Sequence, residues 1–226
     1  MKKRSIVQII IGAVLIVVFV LFTISLTCVE KQPIGPYGSS VAYATVNGAI
    51  HSFLGVNMTL YNITDWGGLV PIFIALTFAI VGLVQWIKRK NILKVDSSIL
   101  LLGVYYVIVF SAYIFFEFVV INRRPVLING YLEASYPSST TMLAMCVMPS
   151  AILQLNRVLQ NKIIKISCAT FCISYEIFMV AGRLLSGVHW FTDVLGGGLF
   201  STGILLIYIG LNNYLPDKDK KEEMLS

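Results

Sequence analysis

Six runs of apolar residues leave this 226-residue chain few choices of fold. They read Ile6–Leu26, Leu69–Ile87, Ser98–Ile121, Thr140–Leu155, Ile163–Ala181 and Val194–Leu211. Each is about 16–25 residues, the length that crosses a hydrocarbon core as a helix. In lipid, every backbone N–H and C=O must be paired within the protein, so such runs become helices. The expectation is an all-α bundle of six transmembrane helices, forming one membrane-embedded domain over residues 1–226. Composition agrees, with 57% of residues hydrophobic and 12% charged. A soluble domain of this size does not need so much apolar surface.

The basic residues set the orientation. With the N-terminus inside, 13 of the 17 Lys and Arg residues fall in cytoplasmic segments, and Lys31, Arg123, Arg124 and Arg183 lie outside. By the positive-inside rule this places both termini in the cytoplasm. The net charge of +6 is then a topology signal, and a nucleic-acid partner is rejected. The first run is longer than a signal peptide's apolar core and no small-x-small site follows, so a retained helix is expected. Residues 27–68 make the long outer segment, in which Ser40–Leu54 reads as a short interfacial helix with Asn47 and His51 toward its polar side. Thr64 or Asp65 is expected to cap the second span. Residues 216–226 read as a solvated cytoplasmic tail. Cys28, Cys146, Cys168 and Cys172 suggest neither a disulfide framework nor a zinc pattern.

Chemistry concentrates in Arg183-Leu184-Leu185-Ser186-Gly187-Val188-His189-Trp190-Phe191-Thr192-Asp193, an R-x5-H-x3-D array. The chain has 2 histidines, 6 arginines and 5 aspartates, so this spacing arises by accident about once in a thousand shuffles. On a helix, residues four apart share a face, so Asp193 can accept one imidazole N–H of His189. That fixes the tautomer and leaves the other ring nitrogen as a nucleophile or base. Arg183 offers a rigid fork of donors suited to phosphate oxygens.

Two further outward stretches fall beside it. Asn122-Arg123-Arg124-Pro125 follows the third run, where paired arginines suit phosphate but also serve as snorkelling side chains. Tyr136-Pro137-Ser138-Ser139-Thr140 opens the fourth, where hydroxyls and free N–H groups at a helix start make an anion site or an ordinary N-cap. Together the three stretches favour a phosphoryl-transfer site at the outer membrane edge.

With these motifs the chain resembles the type 2 phosphatidic acid phosphatases, the integral-membrane branch of a superfamily that includes acid phosphatases and vanadium haloperoxidases. That family carries K-x6-R-P, P-S-G-H and S-R-x5-H-x3-D at the outer ends of helices three to six. Here the third motif is Arg183, His189 and Asp193 with Gly182 in the serine position. The first is Arg124-Pro125 and the second is Pro137-Ser138-Ser139-Thr140. The resemblance implies that His189 attacks phosphorus, Asp193 orients it, and Arg124, Arg183, Ser138, Ser139 and Thr140 hold phosphoryl oxygens.

Two departures matter. Glu117 stands where the family has lysine, and Thr140 where it has the histidine that protonates the leaving oxygen. A threonine hydroxyl has no useful acidity near neutral pH. Glu117 is an acid or modulator with three roles open: ion-pairing Arg124, substituting as the acid, or marking a pocket that binds headgroups without hydrolysis. Glu133, in the loop between the motifs, reads as a solvated carboxylate. One histidine and one aspartate make no metal ligand set, so the expectation is a metal-independent, cofactor-free enzyme, and the resemblance implies one of the bacterial cytoplasmic membrane. Its partners are membrane lipids and its substrates lipid phosphates or polyprenyl diphosphates, cleaved at the outer face. The alternative is a non-catalytic relative that binds lipid phosphate as a sensor, transporter or partner subunit.

Overall fold

The computed structural model describes residues 2–215, and regular structure among them is helical. The helices are α1 (Lys2–Ser25), α2 (Ala44–Leu54), α3 (Met58–Gly67), α4 (Leu69–Arg89), α5 (Ser97–Phe118), α6 (Ser139–Val158), α7 (Lys162–Leu185) and α8 (Phe191–Asn212). The six apolar runs of the sequence fall on α1, α4, α5, α6, α7 and α8. The expected tail over residues 216–226 lies outside the described residues.

Among the described residues, five helices are long and apolar enough to cross a membrane: α1, the continuous α3–α4 unit, α5, α7 and α8. This is a multi-pass membrane protein. α6 differs because of where it sits. It packs against α4, α5, α7 and α8, and eleven of its 20 residues are buried. A helix surrounded by other helices satisfies polar side chains against protein. Tyr106 and Ser150 share a hydroxyl–hydroxyl bond of 3.0 Å, and Gln154 donates to the Tyr208 hydroxyl at 2.7 Å. Tyr105 stacks on Tyr208 with centroids 4.6 Å apart. Pro149 is accommodated within α6 without ending it.

α1 lies antiparallel along α8, closely enough to need glycine. A Cβ on Gly12 would sit 2.6 Å from the carbonyl oxygen of Gly203, the close backbone approach that small residues permit between membrane helices. The C-terminal ends of α1, α5 and α7 and the N-terminal ends of α4, α6 and α8 share one end of the bundle with α2 and α3. At the opposite end Arg89 pairs with Asp96 at 3.0 Å, and Arg157 donates to the Asn212 carbonyl, capping α8, at 3.0 Å.

Two expectations for the outer segment are corrected. α2 forms where an interfacial helix was expected, but Asn47 faces inward and is fully buried. Its side chain donates to the Ala42 carbonyl at 2.7 Å and the Thr192 hydroxyl at 3.0 Å, and accepts the Thr192 N–H at 3.2 Å. It thereby satisfies a free donor in the first turn of α8. Thr64 and Asp65 do not cap α4. They lie inside α3, whose cap is Asn57, accepting the Leu60 N–H at 2.9 Å.

Candidate active site

The segment between α5 and α6 is a folded-back hairpin. The Arg124 N–H donates to the Glu133 carbonyl at 3.1 Å and the Ser135 N–H to the Asn122 carbonyl at 3.0 Å. Ile128 and Tyr131 exchange bonds of 2.9 Å across Asn129 and Gly130, both at positive φ, as a tight hairpin turn requires. This presents Arg124 and the Ser135 carbonyl toward the start of α8. Trp190 holds the other side, its indole N–H donating to the Arg123 carbonyl at 2.7 Å. Its ring also meets His51, with centroids 5.4 Å apart.

His189 sits between these elements and is nearly sealed, with 4% exposure. Its Nδ1 is 3.1 Å from the Ser135 carbonyl oxygen. A carbonyl accepts only, so Nδ1 carries the hydrogen and Nε2 keeps its lone pair. Arg124 Nη1 donates to that Nε2 at 3.2 Å. Burial first, then the Arg124 and Arg183 charges, hold the imidazole pKa well below its ordinary value, against the opposing Ser135 bond. The ring is therefore neutral, and its unprotonated nitrogen accepts from a guanidinium.

Asp193 lies 3.6 Å from His189 Nδ1 through Oδ2, beyond direct hydrogen-bonding distance. Its carboxyl accepts the Trp190 N–H at 2.9 Å and the Asn122 side-chain amide at 3.3 Å. The tautomer is thus set by a backbone carbonyl rather than by Asp193 alone, as the helical spacing had suggested. The reason is the backbone between them: Trp190 precedes α8, so His189 lies outside the helix on which Asp193 sits.

Both arginines are already paired. Arg124 Nε is 3.1 Å from Glu133 Oε2; Glu133 is exposed to solvent, as expected, and also ion-paired. Arg183 is 1% exposed and donates to Asp65 at 3.1 Å and to the Thr64 hydroxyl at 3.4 Å. Both guanidinia lie against the Tyr61 ring, Arg183 at 5.0 Å and Arg124 at 5.7 Å from its centroid. Tyr61 and Asp65 are four apart on α3, so one helical face meets both cations. Gly182 has a local reason as well, since a Cβ there would lie 2.6 Å from a Thr64 methyl.

A narrow cleft opens onto Arg124 and His189, walled by Tyr113, Phe116 and Glu117 of α5 and by Ser139 and Met142 of α6. Of the three expected hydroxyl residues, Ser139 lines it. Ser138 is fully buried and its hydroxyl accepts from Thr141 at 3.0 Å. Thr140 is buried next to Gly68, away from the cleft lining. Arg183 stands behind Tyr61 rather than on the cleft wall. Tyr61, Asp65 and Ser135 carry no site signal in the sequence; Ser135 acts through its backbone, which no side-chain pattern marks.

The PAP2 superfamily model matches residues 39–216, most of the chain. The chain belongs to the PAP2 superfamily. A solved PAP2 structure, a transmembrane phosphatidylglycerolphosphate phosphatase from Bacillus subtilis, is similar with a TM-score of 0.54 and 20% identity. The match covers 95% of this chain and 97% of that one, and at this identity it bears on the fold. An MFS-type transporter of Penicillium rubens, paaT, is 33% identical over 58 residues, 26% of this chain. The chain spans about 11% of that relative's length, so the likeness is local.

Proposed function

We propose that this PAP2 protein is a membrane lipid phosphatase or phosphotransferase, working through a phosphohistidine at His189. The observation that carries the reading is the buried, neutral imidazole whose Nδ1–H is held by the Ser135 carbonyl while Nε2 faces Arg124 at the base of the cleft. That is how a nitrogen nucleophile and a phosphate-binding cation are arranged for attack at phosphorus. In this reading Arg124 holds phosphoryl oxygens, Ser139 adds a hydroxyl, and Arg183 steadies the site from behind Tyr61. Phosphorylated Nε2 makes the ring more positive, and the Ser135 carbonyl and the Asp193 carboxyl then stabilise it. Substrates are lipid phosphates or polyprenyl diphosphates.

The protein is further proposed to form a single domain with six spans, α6 being the sixth, in a bacterial cytoplasmic membrane. Both termini would be cytoplasmic and the site outward. Support comes from the basic residues Lys88, Arg89, Lys90, Arg157, Lys162 and Lys165, which lie on helix ends away from His189.

A second reading, lipid-phosphate binding without hydrolysis, is favoured by one observation: Arg124 and Arg183 are already paired with Glu133 and Asp65. Phosphate release by purified protein from a panel of lipid phosphates, with His189→Ala as control, decides between them. Release lost in the variant, with acid-labile label trapped on the wild-type chain, is expected. Equal silence of wild type and variant, with lipid phosphate still bound, supports the second reading.

A further inference from the structure

We infer that Glu117 delivers the proton to the leaving oxygen, the task for which Thr140 is chemically unsuited. The inference rests on the phosphohistidine reading and adds a catalytic residue to it. Burial orders the cleft: His189 and Arg124 lie deep, whereas Glu117 is exposed at its rim. An in-line displacement puts the leaving oxygen on the face of phosphorus away from the attacking nitrogen. With Nε2 at the base, that oxygen points toward the rim. Thr140 is turned toward Gly68, and Arg124 cannot release a proton. The cleft's remaining proton carriers are the phenols of Tyr113 and Tyr136, the hydroxyls of Ser135 and Ser139, and Glu117. Tyr136 is fully buried with its hydroxyl on Thr23 at 2.7 Å. Aliphatic hydroxyls and phenols are poor acids near neutral pH, so a carboxyl is the best match.

Glu117 is not spent elsewhere. The carboxylate paired with Arg124 is Glu133, at 3.1 Å, so the ion-pair role open to Glu117 from the sequence is taken. The charged and titratable groups around the cleft are Tyr113 one turn away on α5, Asp65 of α3 near Tyr113, Arg124, Glu133 and Tyr136 from the segment before α6, and His189 before α8. A phosphate dianion and the Glu117 carboxylate repel unless a proton lies between them, so binding brings a proton to the pair.

The chemistry balances. The Nε2 lone pair bonds to phosphorus, the P–O ester bond breaks, and the departing oxygen takes the Glu117 proton to leave as the alcohol. The Glu117 carboxylate then takes a proton from water, whose oxygen attacks phosphorus. The P–N bond breaks, freeing phosphate and restoring both His189 and the Glu117 acid.

The test compares wild type, Glu117→Gln and His189→Ala on phosphatidic acid, which must expel an alkoxide, and farnesyl diphosphate, which expels the weaker base phosphate. Rates are measured across pH. Glu117→Gln is expected to lower kcat on phosphatidic acid by about 10²–10⁴-fold and to lose the alkaline limb of the pH profile. The loss on farnesyl diphosphate should be roughly tenfold or less, since that leaving group needs little protonation. Glu117→Asp should keep the alkaline limb. An equal loss on both substrates, an unchanged limb, or a faster Glu117→Gln enzyme overturns the inference while leaving the phosphohistidine intact. A wild type as silent as His189→Ala overturns the underlying reading instead.

Discussion

Because the His189 ring is buried beside Arg124 and Arg183, a proton added to it would be one more positive charge held away from water. The folded protein therefore binds that proton below the ordinary histidine value of 6.5, whereas the unfolded chain binds it near 6.5. Stability is present above that value and is lost as pH falls through it toward the folded pKa. The acid limb of kcat/KM, which reports the free enzyme, should accordingly lie below pH 6.5. Arg124→Gln removes one of the two charges, so that limb should move upward toward the ordinary value. In the proposed mechanism the same change deletes a charged hydrogen bond to phosphate, and it should lower kcat/KM by about 10–100-fold. A pH–rate series on both proteins checks this, and a limb that stays in place would remove Arg124 from the electrostatics of His189.

At the scale of elements, the loop that carries His189 depends on one backbone position. Gly187 has φ of +65°, and a Cβ there would fall 1.9 Å from the Gly55 carbonyl oxygen. The end of α2 is thus pressed against the turn between α7 and α8, and the Asn57 N–H reaches the Ser186 carbonyl at 2.9 Å. Gly187→Ala should cost upward of about 1–3 kcal/mol through strain at positive φ and should displace His189. The expected result is a lower melting temperature in detergent with activity lost below it; unchanged melting and rate would mean the turn adapts. The R-x5-H-x3-D array was legible because its members are close in sequence and rare in type. The hairpin was harder, since its pairing is too short for a strand pattern, though Asn129-Gly130 between Ile128 and Tyr131 was its signal. The Asp65–Arg183 bond spans 118 positions. Nothing local marks Asp65 as different from a helix cap, so only the docking of α3 on α7 reveals it.

For the whole molecule, the sequence pattern located the helices because lipid imposes one rule on every span, while α6 escaped the apolar criterion because its neighbours rather than lipid surround it. The seam of α1 on α8 makes a separate demand. A Cβ on Gly203 would meet Ile16 at 2.9 Å and the Gly12 carbonyl at 3.1 Å, so Gly203→Val should destabilise by about 1–3 kcal/mol through overpacking. Thermal melting in detergent measures it, and an unaltered melt would mean α1 is not seated as described. Orientation is the remaining property of the whole chain, and it decides which leaflet the His189 end of the bundle faces. Cys28 is exposed at the end of the bundle that carries the candidate site, whereas Cys146 and Cys172 are buried and Cys168 is half-buried within α7. Lys90 is exposed after the last turn of α4, at the opposite end. If the excess of basic residues holds that end in the cytoplasm, a membrane-impermeant maleimide added to intact cells should label Cys28 in the wild type. In a Cys28→Ser, Lys90→Cys protein the same reagent should label only after the membrane is opened. Lys90→Cys reacting in intact cells while wild-type Cys28 stays protected would turn the protein over, and the candidate site would then face the inner leaflet.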